Sequence, residues 1–138
     1  MSGTWVRATI IRLEALKHFA DIAFDVVVTG HDRDEIGLLV FPHPGSMNDA
    51  VLSAGDTGGA LSADAIRQLI QPRLAAMAKH ATSSSTRVAR ALLLAKPPSM
   101  SDGELTAKGS INARRVLTLR MELLERLYDN DDPAVVRL

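Results

Sequence analysis

Two apolar runs, "FDVVVTG" at 24–30 and "IGLLVFP" at 36–42, stand on either side of the charged segment "HDRDE" and constrain the fold more than any other feature. Both runs are compact and apolar with β-branched content, and a polar cluster divides them, the pattern of two paired strands joined by a wet turn. Neither run alternates strictly between apolar and polar residues, so both faces of the hairpin are expected to be covered. A third run, "VARALLLA" at 88–95, reads as a later strand stopped by Pro97 and Pro98. The expected class is α+β: a short β-hairpin and a three-stranded sheet packed with helices.

Thr4 to Arg7 is short and β-prone, and after it Ile10, Leu13, Leu16 and Phe19 or Ala20 recur at helical spacing as far as Ile22. Pro42 to Leu61 is rich in Gly, Pro, Ser and Asp, which predicts a long excursion with one turn of helix near Asn48 to Ser53. Ser62 then reads as an N-cap, with Asp64 in the first turn. Leu61, Ala65, Ile66, Leu69, Ile70, Leu74 and Met77 trace an apolar face through Lys79, with a kink or break expected at Pro72. "TSSSTR" at 82–87 reads as a polar hinge. From Asn112, a second N-cap, the residues Val116, Leu119, Leu123, Leu124, Leu127 and Tyr128 line one side of a helix ending near Asp129, and no role is evident for the tail "NDDPAVVRL".

A chain of 138 residues is one domain's worth, able to hide roughly two thirds of its unfolded surface. Sixteen basic residues balance sixteen acidic ones, so no overall field draws the chain to nucleic acid or anionic lipid. The absence of cysteine excludes a disulfide framework, thiolate metal ligands and a cysteine nucleophile together. No apolar run reaches membrane-spanning length and the start lacks the pattern of a signal peptide, so a cytoplasmic protein without a membrane partner is expected.

Chemistry has few places to sit. His18, His31, His43 and His80 form no metal-ligand spacing, and no metal site is expected. No nucleophile elbow occurs, and "SSSTR" lacks the glycines and lysine of a phosphate loop. "GHDRDEIG" at 30–37 reads as a solvated hairpin tip. That leaves "SDGELTAKGSINARRVL" at 101–117, where Lys108 stands between Ala107 and Gly109, with Gly103 five residues earlier and an amphipathic helix just beyond. The glycines permit a tight turn and close approach of a ligand, and the helix ties the turn to the core. A lysine so placed can neutralise a reacting phosphate or carboxylate as a point charge on a long stem. The sequence offers no pocket for that reactant, so a partner is expected to supply it.

"SGTWVR" at 2–7, "DVVVTGHDRDEIGLLVFP" at 25–42, "SSSTRVARALLLAKPPS" at 83–99 and "DGELTAKGSINARRVL" at 102–117 occur in an order and form that resemble the C-terminal subdomain of aryl acid–CoA ligases in the adenylate-forming superfamily, most nearly feruloyl-CoA synthases. The resemblance implies that residues 1–138 are the mobile C-terminal lid of an ATP-dependent acid–thiol ligase, which turns ATP, a small carboxylic acid and CoA into acyl-CoA, AMP and diphosphate. It implies that Lys108 is the catalytic lysine of adenylation, that Gly103, Glu104, Thr106 and Gly109 support its loop, and that Gly3, Thr4, Trp5 and Val6 line the CoA thiol channel after the domain swings. ATP, Mg²⁺ and coenzyme A are then the cofactors of the whole enzyme, none of them held by this piece alone, and the partner is an N-terminal domain that binds ATP and the acid.

Two departures from the family pattern stand out: Ala8–Thr9–Ile10–Ile11 precede Arg12 in place of a more flexible glycine-containing run, and Ser110 replaces an aromatic. The 138 residues are expected to be an excised or separately expressed piece with Met1 a start introduced by truncation, inactive by itself. The competing expectation is a non-catalytic α+β module that binds a partner or oligomerises through the first helix.

Overall fold

The computed structural model describes residues 2–30, 33, 35–43, 49–62, 64–80 and 87–138, with the backbone alone at 2–7 and 50. The two apolar runs form β1 (Ala23–Thr29) and β2 (Ile36–Pro42), paired antiparallel from Thr29↔Gly37 to Ala23↔Pro42 with an irregularity between Ala23 and Asp25. β5 (Val88–Leu93) lies parallel to β2, and a short β6 (Val136–Arg137) pairs antiparallel with β5. The main sheet is therefore mixed and four-stranded, in the order β1-β2-β5-β6. The strand beyond the expected three comes from the tail, where Ala134, Val135 and Val136 are buried and the Leu138 amide donates to the Ala89 carbonyl at 2.9 Å.

Both faces of the sheet are covered, as the unalternating runs imply. On one face Val26, Leu38, Val40, Ala91 and Leu93 meet Ile11, Ala15 and Phe19 of α1 (Ser2–Phe19) and Ile66, Ile70, Leu74 and Met77 of α3 (Asp64–Lys79). On the other, Val27, Leu39, Phe41, Leu92 and Leu94 meet Val116 of α4 (Ala113–Leu119) and Leu123 and Leu127 of α5 (Met121–Leu127). Neighbouring residues of one strand thus enter different cores, which follows from the two-residue period of a strand.

The parallel step from β2 to β5 passes through α2 (Asp49–Ser53), the two-residue ladder of β3 (Gly55–Asp56) and β4 (Leu61–Ser62), and α3. The helical turn expected near residues 48–53 is α2. Among the described residues no helix is long and apolar enough to cross a membrane.

Several local expectations are corrected. Residues 4–7 are helical, the first part of α1, and not a strand. The buried stripe of α1 is Ile11, Ala15, Phe19 and, just beyond the helix, Ile22; Ile10 and Leu13 are 61% and 52% exposed. The i, i+4 spacing of 11, 15 and 19 places these residues on one side, and tertiary docking of that side decides between two overlapping apolar stripes. Ser62 lies in β4 and does not cap α3. Pro72 sits inside α3 without dividing it, and the neighbouring Arg73 donates from Nε to the Leu69 carbonyl at 3.1 Å. The last helix is interrupted at Arg120, whose φ of −110° and ψ of 36° separate α4 from α5, and Leu119 is exposed. Most of the hinge at 82–87 and the hairpin tip at 31, 32 and 34 lie outside the described residues.

Candidate functional site

The segment after β5 builds a small hairpin of its own. The Asn112 amide donates to the Glu104 carbonyl at 2.8 Å, Leu105 and Ile111 form an antiparallel bridge, and the Thr106 amide donates to the Ser110 carbonyl at 2.8 Å. The Gly109 amide closes the tip onto the Thr106 carbonyl at 2.9 Å, leaving Ala107, Lys108 and Gly109 as a three-residue loop. Such loops need a left-handed residue in the last position, and Gly109 has φ +83°. A side chain at Gly109 would meet nothing within 4 Å, so the backbone conformation is what calls for glycine there. Thr106 adds a second tie across the ladder, its hydroxyl 2.8 Å from that of Ser110.

Lys108 therefore stands at the tip, exposed, and makes no hydrogen bond or ion pair among the described residues. Asn112, the expected N-cap, has extended backbone geometry and accepts from the Arg115 amide at 3.2 Å, so the hairpin runs directly into α4. Gly103, at φ +86°, turns the chain into the hairpin, where Arg115 Nε donates to the Asp102 carbonyl at 2.8 Å.

Glu104 roots this arm and is 2% exposed. Its Oε2 accepts from Arg120 Nε at 2.7 Å, and its Oε1 accepts from Arg120 Nη2 at 2.9 Å and from the Ser99 amide at 3.0 Å. Arg120 also donates to the carbonyls of Lys96 and Pro97 at 3.0 and 2.9 Å and lies over the Phe41 ring, 4.8 Å from its centroid. Burial pushes the Glu104 carboxyl up, but the hydrogen bonds from Arg120 and Ser99, with the charges of Arg120 and Arg115, more than offset it and hold the group below its ordinary value.

Of the residues singled out in the sequence, Gly103, Glu104, Thr106, Lys108 and Gly109 come together in this one hairpin. Gly3, Thr4, Trp5 and Val6 lie along the start of α1, and their side chains lie outside the described ones. Arg120 was not singled out, although a signal was present: it occupies an apolar-face position between Val116 and Leu123, where a charge needs a buried partner. Among the described residues no group of three His, Asp or Glu side chains is placed to hold a metal ion.

A solved structure, the A-PCP didomain of carboxylic acid reductase from Segniliparus rugosus in complex with AMP, superposes with a TM-score of 0.64 at 18% identity. It covers 88% of this chain, whereas this chain spans 16% of that one. At that identity the likeness is one of fold alone, and it gives the class: a small α+β domain with a mixed sheet. The family model described as the AMP-binding enzyme C-terminal domain matches residues 13–132, and the chain belongs to that family. The matched range includes Glu104, Lys108 and Arg120 and begins after Val6. Comparison with curated proteins finds no match.

Proposed function

We propose that this chain is the mobile C-terminal domain of an acid–CoA ligase, most like a feruloyl-CoA synthase, and that Lys108 is the cation it brings to the adenylation step. The observation that carries the reading is the exposed ammonium of Lys108, without an ion pair among the described residues, on an ordered hairpin whose base is fixed to the core. In adenylation a carboxylate oxygen bonds to the α-phosphorus of ATP as the bond from that phosphorus to the bridging oxygen breaks, and diphosphate leaves. Two anions must approach each other, and a positioned ammonium offsets their repulsion where the charge gathers. Mg²⁺ accompanying the nucleotide would neutralise part of the same charge.

In the second half-reaction the sulfur of CoA bonds to the acyl carbon, the bond from that carbon to the AMP oxygen breaks, AMP leaves and the thiol proton passes to solvent. In this reading Lys108 has withdrawn by then, and the start of α1, with Gly3, Thr4, Trp5 and Val6, lines the thiol channel. The large domain that binds ATP and the acid is the partner.

The test uses the complete enzyme. ATP–pyrophosphate exchange is measured with ferulate, benzoate and octanoate, and the acid giving the fastest exchange is kept. Lys108→Ala should collapse that exchange while thioester formation from supplied acyl-adenylate survives; equal loss of both would overturn the role of Lys108. No exchange with any of the three would overturn the catalytic reading in favour of an interaction module. A second reading, acid activation ahead of reduction, draws on the solved relative being a carboxylic acid reductase; acyl-CoA as the released product when CoA is supplied supports the ligase.

A further inference from the structure

We propose that Glu104 and Arg120 are a positioning pair for Lys108, setting the aim of the hairpin on which adenylation depends; the proposal rests on the reading of Lys108 given above.

The covalent and hydrogen-bonded path is short. The Glu104 carboxylate is held by the Arg120 fork, the Glu104 carbonyl accepts from Asn112, and the ladder continues through Leu105–Ile111 and Thr106–Ser110 to the tip. One residue therefore joins the ion pair to the base of the arm through both its side chain and its backbone. Arg120 in turn binds two carbonyls of the loop after β5 and covers Phe41 of β2, so the base is referenced to the main sheet.

The pair is also placed where apolar packing would be the simpler choice. Its side chains are 12% and 3% exposed, and a buried ion pair usually adds little over well-packed apolar residues of the same size. What the pair adds is direction. A bidentate guanidinium–carboxylate contact fixes orientation in a way that a leucine does not, and a lysine would supply only a point charge. The last helix loses its regular dihedral angles at Arg120, the residue whose side chain reaches Glu104.

The geometry makes the arm a lever. Lys108 lies four positions beyond Glu104, a reach of at most about 13 Å at about 3.3 Å per extended residue. A tilt of about 5° at the base then moves the tip by about 1 Å, and a misplacement of about 1 Å at a reacting centre can cost about a hundredfold in rate.

The complete enzyme, assayed with ATP and the acid selected above, tests this through Glu104→Gln and Arg120→Lys, each alone and combined with Lys108→Ala. Circular dichroism establishes that each variant is folded, and Arg120→Lys, which keeps the charge, is the milder change should Glu104→Gln fail to fold. The expected result is a loss of about tenfold to a hundredfold in kcat for exchange with KM for ATP and acid little changed, and retained thioester formation from supplied acyl-adenylate. Each double variant should be no slower than Lys108→Ala alone, because the pair acts through that lysine. Losses that multiply in the double variants, equal damage to both half-reactions, or full exchange in both single variants would overturn the positioning role. If Lys108→Ala itself leaves exchange intact, the reading of Lys108 fails first; if Lys108→Ala abolishes exchange and Arg120→Lys does not lower it, the positioning role alone fails.

Discussion

Arg12 and Asp25 meet through two hydrogen bonds of 2.9 Å each, Nε to Oδ1 and Nη2 to Oδ2, and this fork joins α1 to the first strand of the sheet. Asp25 is 5% exposed and its Oδ1 also accepts from the Val26 amide at 2.7 Å, beside the irregularity in β1. The contact orients the helix whose beginning carries the four residues proposed for the thiol channel.

Arg12→Ala leaves the Asp25 carboxylate buried with the Val26 amide as its remaining bond. Removing one partner of such a pair should lower stability by about 2 kcal/mol, an amount set by stranding a charged acceptor and reduced by the partial exposure of Arg12. Urea denaturation checks this through the transition midpoint, and an unchanged midpoint would show that the fork does not contribute.

Acid should weaken the fold through Glu104, Asp21 and Asp132. The Arg73 hydrogen bonds hold Asp21 below its ordinary value and those of Arg126 do so for Asp132, in each case against burial; Glu104 is held low despite its burial. Because each folded value lies below the unfolded one, the stabilisation is fully present above about pH 4.3 and is lost as pH falls through the folded values. Melting temperature followed downward from pH 7 should fall most steeply below about pH 4.3. Glu104→Gln should be less acid-sensitive than the parent in that window.

Tyr128, the single tyrosine of the chain, has its hydroxyl 2.8 Å from both Thr29 Oγ1 and the Glu35 carbonyl, and its ring lies near Arg33 and Arg90 at 4.7 and 5.2 Å. Tyr128→Phe should cost about 1 kcal/mol in denaturation experiments. Burial pushes the phenol above its ordinary value, against the hydrogen bond with Thr29 and the charges of Arg33 and Arg90. Ultraviolet titration should place ionisation above about pH 10, and the stabilisation present below that pH should be lost as pH rises through the folded value.

Gly109→Ala introduces a side chain at φ +83°, where there is room for a Cβ but the backbone conformation is unfavourable. The expected cost is about 1 kcal/mol, confined to the hairpin. Faster amide hydrogen exchange at residues 105–111 with unchanged protection in β1, β2 and β5 would meet the expectation; uniform loss of protection would contradict it.

Short-range physics was legible in the chain. Unalternating apolar runs identify β1, β2 and β5 and imply cover on both faces, Asn112 shows itself as a cap, and Gly109 beside Lys108 announces a tight exposed turn, because each of these depends on neighbours within a few residues. The tertiary structure decided the rest. Asp25, Arg90 and Arg120 are visible as charges within apolar patterns, but their partners lie 13 residues or more away: Arg12 for Asp25, Glu35 for Arg90, Glu104 for Arg120. A buried charge requires a partner without saying which.

The same limit explains the tail, too short to announce itself as a strand until β5 offered an open edge, and the first helix, where two apolar stripes were available and docking selected Ile11, Ala15 and Phe19. The sequence determined which segments could pair, turn and cap. Only the folded chain decided which distant charges meet, because that depends on three-dimensional proximity that no local pattern encodes.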